Sequence, residues 1–201
     1  MIHQTIIYIP TDSQAQLKSL LEFYNFNLKI VNTRKTKRGD FRPTTPLPTI
    51  TINNNLSKEQ FLITLVHEIA HLDVFLNHKN VKPHGIEWKM TFQKLMLPFL
   101  TNKIFPEEIL KPLARYLINP KATSDSDINL STALLKNSNK VIDKTFIFEL
   151  DHNTIFNLNG REFKILNKRR TRYECIEINT QKHYLIRANA PVTVVKNKTY
   201  D

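Results

Sequence analysis

The residues of this chain whose types and spacing can do chemistry are His67-Glu68-Ile69-Ala70-His71. On an α-helix, two imidazoles four positions apart lie on one face, about one turn from each other. Both can therefore reach a single metal ion. The glutamate between them projects near the same ion, where a carboxylate can take a proton from water. Together these groups suit metal-assisted hydrolysis, with a cation as Lewis acid and a carboxylate as base. A catalytic zinc takes three protein ligands and leaves one position for water, so the chain must supply a third.

The surrounding sequence predicts the helix this chemistry requires. Ser57-Lys58-Glu59-Gln60 has the form of a capping box, in which the Ser57 hydroxyl accepts from the Gln60 amide and Gln60 reaches back. Phe61, Leu62, Leu65, Ile69, Leu72 and Leu76 follow at spacings of three and four, and Asn77 to Asn80 end the pattern with polar and cationic residues. A helix this apolar is mostly buried. Two histidines and a glutamate within it are costly unless something satisfies them, and a metal ion does so.

The third ligand is sought by spacing. A metzincin pattern would place Gly at position 74 and His at position 77, but the chain has Val74 and Asn77. A thermolysin-like site would draw on Glu87, Glu107 or Glu108. His84 is the other candidate, held in a turn by Pro83 and Gly85 ahead of a second helix from Ile86 to Leu97, with Ile86, Met90 (or Met96), Phe92 and Leu95 on its apolar side.

His67-Glu68-x-x-His71, followed by His84-Gly85-x-x-Trp88 and a Met-bearing helix, resembles the SprT-like metallopeptidase domain, the family that includes Spartan proteases. The similarity covers roughly residues 5 to 118 and is most specific over 57 to 97. It implies one zinc per chain held by His67, His71 and His84, Glu68 as general base, and Trp88 packing beside the site. It also implies an α+β fold: a small zincin-like domain with an N-terminal helix, a short sheet, the motif-bearing helix and following helices. Helical spacing at Leu17, Leu20, Leu21 and Tyr24, and alternation at 28–31 and 49–52, supply those first elements. Through the resemblance, 49–52 is the expected edge strand on which an extended substrate pairs by β-augmentation.

A third helix is predicted over Phe105 to Ile118, interrupted by Pro112. The metallopeptidase domain then spans 1–118, and the Asn-, Ser-, Asp- and Lys-rich stretch 119–140 reads as a linker with a helical patch at Leu130–Leu135. From 141 to 201 the period changes to two, with Asn159-Gly160 as a hairpin turn, which predicts a small antiparallel β module. Many SprT-like proteins carry a cysteine-rich zinc ribbon here. With Cys175 as the single cysteine, this module is expected to resemble such a ribbon without its metal.

The formal charge of +11 is shared by both parts, +6 over 1–118 and +5 over 119–201. Arg34, Lys35, Lys37 and Arg38 form one cluster; Lys168, Arg169, Arg170 and Arg172, followed by Tyr173, form another. Both suit contacts to a nucleic-acid backbone, and an aromatic beside arginines suits stacking on unpaired bases. The resemblance favours DNA, single-stranded or duplex, as a partner beside a protein substrate. Two other classes fit: a nucleic-acid binder with a structural or inactive zinc, and a regulatory peptidase unconnected with DNA. Three glycines leave no phosphate-binding loop, no apolar run is long enough to span a bilayer, and no secretion signal opens the chain. A lone cysteine excludes an intrachain disulfide, so a cytoplasmic location is expected.

Overall fold

The computed structural model describes residues 2–34, 36–138 and 145–195. It is a mixed helix-and-sheet protein that divides into two units, 1–137 and 138–201. In chain order the first unit contains α1 (Ile2–Thr5), α2 (Gln14–Phe23), β1 (Asn27–Val31), β2 (Gly39–Arg42), β3 (Thr49–Asn53), α3 (Lys58–Asn77), α4 (Ile86–Met96), α5 (Glu107–Ile118) and α6 (Ile128–Asn137). The second contains β4 (Thr145–Phe146), β5 (Ile155–Leu158), β6 (Arg161–Lys168), β7 (Arg172–Glu177), β8 (His183–Arg187) and β9 (Pro191–Val194).

The sheet of the first unit has the order β1-β3-β2, with β1 parallel and β2 antiparallel to β3. The central β3 buries Ile50 and Ile52, and α3 buries Phe61, Leu62, Leu65, Val66, Ile69 and Leu72 in the same core. The α3 cap forms as the sequence predicts: the Ser57 hydroxyl accepts from the Gln60 N–H at 3.2 Å. The Gln60 side chain does not return to the cap. Its oxygen accepts from the Arg38 guanidinium at 3.1 Å, in the amide orientation that satisfies both groups.

Three expectations change here. The strand 49–52 lies in the middle of the sheet, paired on both sides, so it has no free edge for a substrate. The edges are β1 and β2, and the one beside α3 is β2, a strand the sequence conceals behind Gly39, Asp40, Arg42 and Pro43. Charged and glycine residues of this kind are what edge strands tolerate. On α4 the buried face is Trp88, Phe92 and Met96, while Ile86 and Met90 are exposed; the i, i+4 register starts two residues later than expected. Residues 124–137, expected as part of a linker with a helical patch at Leu130–Leu135, form a 3-10 turn and a longer helix, α6, with Leu130 and Leu134 buried in the core and Asp125 paired with Arg38.

In place of ribbon-like hairpins, the second unit is a six-stranded antiparallel sheet of order β4-β9-β5-β6-β7-β8. Phe146, Ile147, Phe156, Phe163, Ile165, Tyr173, Cys175 and Val192 are buried, so apolar packing does the work a metal does in a ribbon. Cys175 is free and buried, and burial pushes its thiol up to about 11. No helix among the described residues is long and apolar enough to cross a membrane.

Candidate metal centre

His67 and His71 project from one face of α3, one turn apart. His84 comes from the turn between α3 and α4, closed by the Gly85 N–H donating to the Lys82 carbonyl at 2.9 Å. His84 itself has φ +56°, in the left-handed region. Pro83 ahead of it and Gly85 behind it make this turn possible, Gly85 because a β-carbon there would stand 2.9 Å from the Lys82 carbonyl oxygen.

The three Nε2 atoms converge. They are 3.3 Å apart between His67 and His71, 3.0 Å between His71 and His84, and 3.3 Å between His67 and His84. Ligands about 2.0–2.1 Å from a tetrahedral ion stand about 3.3 Å from each other, so the triangle has the dimensions of a facial three-nitrogen site. Burial holds all three imidazoles below the usual histidine range, with His71 brought down to about 4 by burial and, to a smaller extent, by its neighbour His84. They are neutral near pH 7, which is the ligating form. Neutral rings that aim lone pairs at one point repel each other, and a cation at that point turns repulsion into ligation. Among the described residues this is the one set of three or more His, Cys, Asp or Glu side chains that could hold a metal ion. Glu87, Glu107 and Glu108 are not part of it; Glu107 pairs instead with Lys111.

Glu68 faces the strand edge. It is 7 % exposed, and burial, reinforced by the neighbouring Asp40, pushes its carboxyl up to about 8. Arg34, Lys37 and the Phe41 N–H, which donates to the carboxylate, act in the opposite direction. A cation held by the histidines would add to them and favour the ionised form. A β-carbon on Gly39 would lie 2.5 Å from Glu68 Oε1 and 2.7 Å from Thr64 Cγ2, so β2 approaches α3 this closely only because residue 39 has no side chain. Two positions on, Phe41 stacks on His71 at 6.5 Å and meets the exposed Phe75 at 5.7 Å. Neither Gly39 nor Phe41 declares this role in the sequence. Their alternation before Pro43 is the one local signal that could have exposed them.

The two basic clusters fare differently. Arg34 is spent inside the fold: its guanidinium donates to Asn53 Oδ1 (2.8 Å) and Thr51 Oγ1 (2.9 Å). Lys37 pairs with Asp40 at 2.8 Å and Arg38 with Asp125, while Lys35 lies outside the described residues. In the second cluster Arg169 pairs with Glu174 at 2.7 Å. Lys168, Arg170 and Arg172 are exposed at the β6–β7 turn, with no acidic partner among the described residues.

No curated protein and no solved structure matches the chain. Residues 14–106, the segment that brings together His67, Glu68, His71 and His84 against β2, match the model of the SprT-like family.

Proposed function

We propose that the protein is a zinc-dependent metallopeptidase in which His67, His71 and His84 hold the ion and Glu68 is the general base. The observation that carries this is the 3.0–3.3 Å triangle of Nε2 atoms with a buried glutamate from the same helix beside it. The match of residues 14–106 to the model of the SprT-like family, which is associated with metallopeptidases, supports it. A zinc ion supplies Lewis-acid polarisation of a carbonyl and acidification of water when bound.

The chain's own residues do the rest. The free edge of β2, Gly39–Arg42, offers main-chain groups to an extended peptide, which places the scissile bond alongside α3. The Phe41 N–H and the space left by Gly39 fix the Glu68 carboxylate. Glu68 accepts a proton from the attacking water and returns it to the leaving amine. Its elevated affinity for a proton, raised by burial, suits it to both halves of that transfer.

Glu68→Gln keeps the shape and removes the base. Peptide cleavage by the whole chain should fall by about 10²–10⁴-fold, with metal content unchanged. A variant that cleaves at the parent rate would exclude Glu68 from the chemistry.

The unpartnered cations at the β6–β7 turn favour a second element of the reading, a nucleic-acid contact that directs the peptidase to DNA-associated proteins. Replacing Lys168, Arg170 and Arg172 by Ser should weaken binding to single-stranded and duplex DNA. It should also lower the slope of log K against log salt by about 2–3. Replacing Lys37 should leave both nearly unchanged. Binding without cleavage of any protein would favour a binder with an inactive site, and salt-insensitive, negligible DNA binding would favour a peptidase unconnected with DNA.

A further inference from the structure

We propose that Trp88 is the positioning residue of the metal centre, its indole setting the orientation of all three imidazoles. This rests on the three histidines being the metal site.

Metal-ligating histidines almost always donate their second ring N–H to a carboxylate, a carbonyl or water, and that bond fixes both tautomer and ring angle. Here each ring presents Nε2 to the common point, which leaves the proton on Nδ1. Among the described residues no protein acceptor meets the Nδ1 of His67, His71 or His84. Aromatic rings border the three imidazoles instead. The Trp88 indole lies 4.6 Å from His67 at 60°, 4.7 Å from His84 at 76° and 5.4 Å from His71 at 28°. Phe92 touches His67 and Phe41 touches His71, each one ring of the three. Among the described residues Trp88 alone reaches every ligand.

Its place in the chain explains why. Trp88 stands in the first turn of α4, four residues after His84, on the face that packs toward α3. One side chain thus couples the ligand on the turn to the two on the helix. Trp88 is 1 % exposed and stacked on Phe92 at 5.1 Å, so its own position is fixed. The indole N–H is buried with no acceptor among the described residues, a cost a phenylalanine would avoid. The wider bicyclic face is what that cost secures, since a single ring is too small to border three imidazoles.

The test is titration of the intact chain with Zn2+ and Co2+, comparing the parent with Trp88→Leu, Trp88→Phe and Phe105→Leu. Phe105 is equally buried and meets none of the three imidazoles among the described residues. Trp88→Leu should bind Zn2+ about 10–100-fold more weakly, the range seen when the groups supporting a ligand are removed. Its Co2+ visible spectrum should also change. Trp88→Phe should recover part of the affinity, and Phe105→Leu should keep the parent's affinity and spectrum. Parent-like binding and spectrum in Trp88→Leu would overturn the inference while leaving the metallopeptidase reading intact, as would an equal loss in Phe105→Leu. If Trp88→Leu does not fold, Trp88→Phe decides: weaker binding with a shifted spectrum supports the role, and no change overturns it. A parent chain that binds neither metal would overturn both readings.

Discussion

His84 sits in a backbone conformation that its side chain does not favour. A residue with a β-carbon at φ +56° costs about 1–2 kcal/mol relative to the right-handed region. Strain of this kind persists where the surrounding structure over-determines it, and it clusters at functional sites. Asparagine tolerates the left-handed region far better, so His84→Asn separates fold from function. Without metal, the variant should melt at or above the parent temperature, a gain of about 0–1 kcal/mol. Its zinc affinity should fall more than about 10-fold with the third ligand gone. Calorimetry in a chelator and a metal titration check both; a marked loss of metal-free stability, or full zinc retention, would contradict the assignment. This residue was legible in sequence, because Pro83 and Gly85 announce a turn and the spacing from His71 fits a known family. Its left-handed φ was not, since proline and glycine around a histidine allow several turn types.

At the scale of elements, the decisive relation is between α3 and β2. The helix could be read from its cap and its apolar stripe, both of which depend on residues three or four apart. The strand could not. Its four residues include a glycine and two charges, and its partner β3 is seven or more residues away across three prolines. The close approach of Gly39 to Glu68 is therefore a tertiary fact, with only the alternation of Gly39 and Phe41 before Pro43 as its local trace. It carries a sharp prediction. Gly39→Ala forces a β-carbon into the space of Glu68 Oε1 and should displace the carboxylate. Cleavage should drop by about 10²-fold, the effect of a misplacement near 1 Å, while zinc content is unchanged. An alanine variant with parent activity would show that the Gly39 approach does not position the base. The α6 segment gives the converse lesson. Its Asn- and Ser-rich flanks suggest a linker, and the helical patch expected at Leu130–Leu135 is present, but only the fold shows that Leu130 and Leu134 at i, i+4 join it to the core.

Across the whole molecule, net charge is a poor guide to where a polyanion would bind. The chain carries +11, but Arg34 is consumed by β3, and Lys37 and Arg38 by Asp40 and Asp125. Only placement distinguishes these from Lys168, Arg170 and Arg172, which stand free of acids at a hairpin tip among the described residues. In the second unit the strands are legible from their period, but the six-stranded order and apolar core depend on long-range pairing. Every functional step above rests on three histidines converging on one ion. The most direct measurement of that claim is zinc bound per chain, by elemental analysis of the parent and of His71→Ala purified side by side. The account predicts about one zinc in the parent and a loss of nearly all of it in the variant. A parent chain without zinc, or a variant that keeps it, would contradict the account.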